Sequence, residues 1–245
     1  MTPAQFHFIH GLKRGDKFTL TDRIAVESAW KQNPKWKVRF WSPEIPTGEH
    51  WEKLTSRVPV EWGSVPDNHS FNGHPIQHHQ HRADLLRHTL LYALGGMYLD
   101  LDTITLEPIP NHWLLYDTTI GIERHDSEVT GLCNAVMMSQ QFSKFQWEWL
   151  SLWQNFTGQD WNEFSVRAPW LLSKVFPRLV LCVEREMLGL QYADCMKYFE
   201  ETERLDRVVV AHLWRTGTGR VMDCITESSI EKAEDTYSQH AKEYL

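Results

Sequence analysis

The stretch from His81 to Asp102 constrains this chain more than any other. Ala83, Leu86, Leu90 and Ala93 recur at spacings of three and four, the apolar stripe of a helix running from about Ile76 to Leu94. Gly95-Gly96 ends that helix, because glycine accepts the left-handed backbone that a helix C-terminus demands. Met97-Tyr98-Leu99 then reads as a short apolar strand that delivers Asp100-Leu101-Asp102 at its end, and Thr103 to Leu106 continues extended until Pro108 and Pro110. Carboxylates presented in this way suit a hard divalent cation such as Mg²⁺ or Mn²⁺, which takes oxygen ligands, needs one or two protein carboxylates and shares itself with a diphosphate.

The chain before this stretch predicts a parallel α/β sheet. Phe6 to Ile9 is a strand ending at His10-Gly11, followed by a loop with Lys13, Arg14 and Lys17. Asp22 caps a helix through Trp30, and Asn33-Pro34 stops it before a second strand from Trp36 to Trp41. A third strand fits Val58 to Trp62, and strand, helix, strand in this order opens a parallel sheet. Residues 63–81 hold His69, His74, His78, His79 and His81, but no acidic or cysteine partner at ligand spacing, so the expectation is a polar loop and not a metal cluster.

Further on, Thr118 to Ile122 and Ala135 to Met138 read as strands, and Phe142 to Trp153 and Ala168 to Phe176 as helices. Val208 to Ala211 is a final buried strand ending at His212, and Thr216 to Gly219 reads as a mobile loop. The polar tail beyond Glu227 is expected to form a surface helix. There is no internal repeat and no composition break, so residues 1–245 are read as one domain.

Charge and cysteine usage exclude several classes. A net charge of −7 without a dense Lys/Arg block argues against a nucleic-acid partner, whose phosphates need clustered cations. Cys133, Cys182, Cys195 and Cys224 lack CxxC spacing, so free thiols are expected. No apolar run reaches the roughly 18 residues that span a bilayer, and the N-terminal residues lack the pattern of a signal peptide. Asn68-His-Ser and Asn155-Phe-Thr are therefore read as chance matches to the glycosylation pattern. Twelve Trp residues are more than usual; aromatic planes can floor sugar sites, although core packing accounts for most of them.

Arg82-Ala83-Asp84-x-x-Arg87, then Leu91-Tyr92, then Gly95-Gly96-x-Tyr98-x-Asp100-x-Asp102 resembles glycosyltransferase family 32, which includes fungal outer-chain mannosyltransferases and, more loosely, clostridial toxin catalytic domains. Phe8-Ile-His10, Trp30 to Pro34, Asn134, Ala168-Pro169 and His212-x-Trp214 resemble further landmarks of that family, whereas Gly11-Leu12 replaces its usual Gln and Trp. The resemblance implies a GT-A fold, an α/β architecture with a single Rossmann-like, mostly parallel sheet flanked by helices. It implies retaining transfer of a hexose from a UDP- or GDP-sugar to a glycan or other hydroxyl acceptor, with Mn²⁺ or Mg²⁺ as cofactor.

By the same resemblance Asp102 holds the metal, Asp100 the metal or the donor ribose, and His212 completes the metal site. Asp84 accepts hydroxyls of the donor sugar, Arg87 steadies the sugar or diphosphate, His10 lies in the donor site, and Asn134 steadies the reacting face. Trp214, Arg215 and Arg220 close over the diphosphate, while Tyr98 and Gly96 are structural. Residues 1–110 form the nucleotide-sugar and metal half and 111–245 the acceptor half. A bacterial or viral cytoplasmic enzyme, soluble and without its own membrane segment, is the expected setting.

Two rivals remain open at this stage. Asp100-Leu-Asp102-Thr also fits the Asp-x-Asp-x-Thr nucleophile motif of haloacid-dehalogenase phosphatases, although that motif ends a first strand and has a Gly-Asp-x-x-x-Asp partner missing here. A catalytically silent nucleotide-sugar-binding protein is the other. A two-carboxylate glycoside hydrolase fits poorly, since it needs its carboxyls roughly 5 to 9 Å apart across a sugar.

Overall fold

The computed structural model describes residues 2–66, 70–71, 73–158 and 160–245; Asn68 and His69 lie outside the described residues. The first half comprises β1 (Gln5–Ile9), α1 (Leu20–Gln32), β2 (Lys37–Ser42), α2 (Glu49–Arg57), β3 (Val60–Ser64), a minimal hairpin of β4 (Ser70–Phe71) and β5 (His74–Pro75), α3 (His79–Leu94), β6 (Gly96–Leu99) and β7 (Thr103–Thr105). The second half adds β8 (Thr118–His125), β9 (Glu128–Ser139), α4 (Lys144–Leu152), α5 (Ala168–Val175), β10 (Val180–Val183), α6 (Arg185–Leu188), α7 (Lys197–Glu200), β11 (Val210–His212), α8 (Arg215–Met222), α9 (Glu227–Lys232) and α10 (Thr236–Ala241).

Seven strands form one sheet in the order β10-β8-β9-β6-β1-β2-β3. All run the same way except β9, which is antiparallel to both β6 and β8. The mostly parallel sheet expected from the sequence is therefore present, and it draws strands from both halves of the chain. Alternate residues separate its two faces. Met97, Leu99, Val136 and Met138 join the cluster covered by α1 and α2, while Tyr98 and Met137 join the one covered by α3 and α4. No helix among the described residues is long and apolar enough to cross a membrane.

The turn from α3 into β6 sets the position of the Asp-x-Asp segment. Gly95 and Gly96 both have positive φ, +64° and +106°, and a Cβ on Gly96 would lie 2.7 Å from the Gln5 carbonyl oxygen. Only glycine fits so close to β1. Gln5 and His7 on β1 donate to the carbonyls that end the helix: Gln5 Nε2 reaches Leu94 at 2.8 Å and His7 Nε2 reaches Gly95 at 2.8 Å.

Several expectations are corrected. Thr19, not Asp22, caps α1; Asp22 is the third residue of the helix and closes a capping box on Thr19. α3 begins at His79, after the hairpin, and β9 is far longer than Ala135 to Met138. Strand β10 was not read from the sequence at all. β11 lies outside the main sheet, paired antiparallel with β7. The Thr216 to Gly219 segment is helical within α8 and not a loop, and the tail is two helices whose Ile230, Tyr237, Ala241 and Tyr244 are buried with Leu20 and Ile24 of α1. The free thiols are as expected.

Candidate active site

Two antiparallel segments bring the sequence-distant groups together. β6 ends at Leu99, the chain turns through Asp100 to Asp102, and β7 pairs with β11 so that Thr103 faces His212. Asp100, Asp102 and His212 each offer a ligand atom, and these atoms lie within 4.8 Å of one another. Among the described residues no other group of His, Cys, Asp and Glu has this geometry. His212 Nε2 is 3.3 Å from Asp102 Oδ2, and the same oxygen accepts the backbone N–H of Arg215 at 2.6 Å.

Charge balance in this pocket follows from burial and neighbours. Burial opposes the charge on Asp102, but His212, by charge and hydrogen bond, and the Arg215 N–H hold its carboxyl well below the usual range. His212 is raised well above its ordinary value, against burial, by Asp102. Asp100 is raised: burial outweighs Arg87, and the neighbouring charge of Asp102 adds to it.

Helix α3 contributes the second group. Asp84 and Arg87, one turn apart, are both buried and 3.5 Å from each other. Arg87 reaches Asp100 at 3.2 Å and donates to the backbone and side-chain oxygens of Asn134 at 2.9 and 3.1 Å. Asn134 Nδ2 in turn donates to Asp84 at 2.8 Å. Asp84, Arg87, Asn134 and Asp100 thus form one closed network contiguous with Asp102 and His212. Burial works against the Arg87 charge, yet Asp100, Tyr98 and Asp84 around it hold the guanidinium protonated.

The remaining expected residues are placed differently. Trp214 packs its ring 4.1 Å from that of His212 and donates its indole N–H to Leu190, which fixes it against the wall. The Arg215 guanidinium is paired with Asp22 and Asp223, and its backbone alone touches Asp102. His10 follows β1 with its ring edge-on to Phe18; among the described residues no hydrogen bond or ring contact joins it to Asp84, Asp100 or Asp102. Arg220 is exposed on α8.

Sequence reasoning passed over two participants. The Tyr98 hydroxyl bonds Asp100, and Arg87 lies 4.5 Å over its ring. Its signal was available, since residues two apart on a strand share a face. Cys133, whose Sγ is 3.9 Å from His212 Nδ1, gave no such signal because its partner lies on β11.

The mostly parallel sheet with one reversed strand is a fold of the GT-A type, and it carries the Asp-x-Asp turn beside His212. Residues 21–120 match the family described as the glycosyltransferase sugar-binding region containing a DXD motif.

Glucan organizing enzyme 1 of Cryptococcus neoformans var. grubii is 27% identical over 263 residues, an alignment spanning 100% of this chain and 71% of that protein. Among solved structures, galactosyltransferase LgtC in complex with donor and acceptor sugar analogs superimposes with a TM-score of 0.56 at 14% identity, covering 98% of this chain and 95% of that one. GlyE of Streptococcus pneumoniae gives 0.56 at 12% identity, over 100% of this chain and 60% of the other. At such identities the structures speak for the fold.

Proposed function

We propose that this protein is a divalent-metal-dependent, retaining glycosyltransferase that moves a hexose from a UDP- or GDP-sugar to a hydroxyl of a glycan or similar acceptor. The observation that carries the reading is the Asp100, Asp102 and His212 set, within 4.8 Å, joined directly to the Asp84, Arg87 and Asn134 network. Two carboxylates and an imidazole fit Mn²⁺ or Mg²⁺, with coordination left for diphosphate oxygens. A metal held by Asp100, Asp102 and His212 would offset the negative charge that builds on the leaving diphosphate.

The chain's own groups do the rest. Asp84 accepts from hydroxyls of the donor sugar, and Arg87 sets the position of Asp84, Asp100 and Asn134 at once and lends positive charge near the leaving group. The Asn134 amide steadies the face on which the acceptor hydroxyl arrives. His10 and Trp214 line the nucleotide side, and Arg215 reaches the diphosphate on leaving Asp22. In this reading residues 1–110 supply the donor half and 111–245 the acceptor half; retention rests on the family resemblance.

The test is hydrolysis of UDP-glucose, UDP-galactose, UDP-N-acetylglucosamine and GDP-mannose, with Mn²⁺ and with chelator, for the native chain and for Asp102→Ala. Metal-dependent release of one nucleotide, lost in the variant, supports the reading and names the donor. Nucleotide binding without turnover of any donor replaces it with a silent binding protein.

A further inference from the structure

Trp161 is 44% exposed, an unusual place for the largest apolar side chain. Two other exposed indoles lie elsewhere: Trp62 on β3 donates to Ser42, and Trp147 packs on Tyr92 in the last turn of α3. Trp161 instead meets the first turn of α3. Its ring is 5.2 Å from His81 and 5.4 Å from the exposed His78. His81 precedes Asp84 by three residues on the same buried face, a rise of about 4.5 Å. The indole therefore stands one helical turn outward from the Asp84, Arg87 and Asn134 network. Arg82 donates to the Leu12 carbonyl just beyond β1, which ties this end of α3 to the loop after that strand.

The segment that follows Trp161 is packed into the core. Residues Glu163–Arg167 form a π-helical turn, in which Arg167 N–H reaches back to the Asn162 carbonyl, and such turns recur at functional sites. Trp149, fully buried on α4, donates its indole N–H to Phe164 at 2.7 Å. On the other side Gly131 of β9 lies so close that a Cβ there would be 2.4 Å from Val166. That same strand carries Asn134 three residues on. His81 is itself 4% exposed, and its Nδ1 has no hydrogen-bond partner among the described residues.

We infer that Trp161, flanked by the exposed His78 and backed by the buried ring of His81, is a carbohydrate-binding platform that receives the acceptor sugar. A half-exposed indole presents a flat apolar face to the C–H groups of a pyranose, and the exposed His78 imidazole beside it supplies hydrogen bonds to its hydroxyls. Calling this sugar the acceptor rests on the transferase reading; the sugar site itself does not.

Saturation-transfer NMR with lactose, cellobiose, laminaribiose and α-1,3-mannobiose tests it, run beside nucleotide-sugar hydrolysis. A disaccharide bound by the native chain and by Asp102→Ala, weakened at least tenfold in Trp161→Ala and largely restored in Trp161→Phe, supports the platform. In a transfer assay the Trp161→Ala change then raises the acceptor KM and leaves metal-dependent donor hydrolysis within twofold. No disaccharide signal from the native chain, or a signal unchanged in Trp161→Ala, overturns it. Binding that depends on Trp161 without hydrolysis of any donor keeps the sugar site and sinks the transferase.

Discussion

Asp102 accepts the backbone N–H of Arg215, the first residue of α8, at 2.6 Å, so a side chain from the turn after β6 occupies the N-terminus of a helix more than a hundred residues later. Trp214 makes this approach by adopting a left-handed conformation, φ 57° and ψ 62°, rare for a bulky residue. A negative charge at a helix N-terminus is favoured by the helix dipole. Asp102 is thereby fixed from two sides, by His212 and by α8.

Asp102→Asn removes the charge and keeps the shape. Nucleotide-sugar turnover is expected to fall at least 100-fold, and urea unfolding to report a loss of about 2 kcal/mol, less than a stranded buried charge would cost because His212 can shed its proton. A double-mutant cycle with His212→Gln is expected to give a coupling of about 1 kcal/mol or more. Additive losses would show that the pair is not coupled.

Gly96→Ala tests the turn that delivers the acidic pair. The positive φ and the 2.7 Å approach to Gln5 act together, and a loss of about 2 to 4 kcal/mol is expected. Gly48→Ala is the control, since its φ is +104° but nothing lies within 4 Å of the new methyl, and about 1 kcal/mol is expected there. Equal midpoints for the two variants in urea would remove the steric argument.

Acid is expected to destabilise the fold through two neutral histidines. Burial pushes His7 down to about 4 and His88 down to about 3. In the unfolded chain both protonate near 6.5, so below that pH the unfolded state binds more protons and stability falls until the folded values are reached. By pH 5 each contributes a loss of about 2 kcal/mol relative to pH 7.5. Urea midpoints at the two pH values measure the sum, and His88→Gln is expected to flatten the dependence.

Cys133→Ala leaves His212 Nδ1 without its partner at 3.9 Å. Groups that orient a metal-binding histidine typically change metal affinity 10- to 100-fold on removal. Calorimetric titration with Mn²⁺ in the presence of UDP is expected to show a drop of about tenfold, with little change in nucleotide affinity when metal is saturating. An unchanged Mn²⁺ affinity would leave the thiol as core packing.

The parts of the site that were legible in the sequence are those encoded over short distances. The stripe of α3, the glycine pair and the Asp-x-Asp turn lie within one stretch, and local rules suffice for them. Asp84 and Arg87, three residues or about one helical turn apart, lie 3.5 Å from each other, a contact that local spacing alone permits. What was missed depends on distant partners. Thr216 to Gly219 has the composition of a loop, yet Asp102 and the Thr218 hydroxyl, which donates to the Leu213 carbonyl, hold it helical. The tail looked polar because only one side of each short helix is apolar, and that side is buried against α1. The pairing of Arg215 with buried Asp22, almost two hundred residues away, likewise left no local signal.

The β7–β11 ladder has a consequence for how the protein is made. Its two strands are separated by most of the second half of the chain, and the pairing of Thr103 with His212 is what sets the histidine beside the aspartates. Closing so long a loop costs entropy that is recovered only when the ladder and its flanking helices assemble together. On the ribosome, β1 to β6 can emerge and pair early, but the centre cannot exist until β11 and α8 have been synthesised. A nascent chain stalled short of His212 would carry the Asp-x-Asp turn on a formed sheet and still lack the histidine that stands beside it. Assembly of the site thus waits for β11 and α8 and does not begin with the Asp-x-Asp turn.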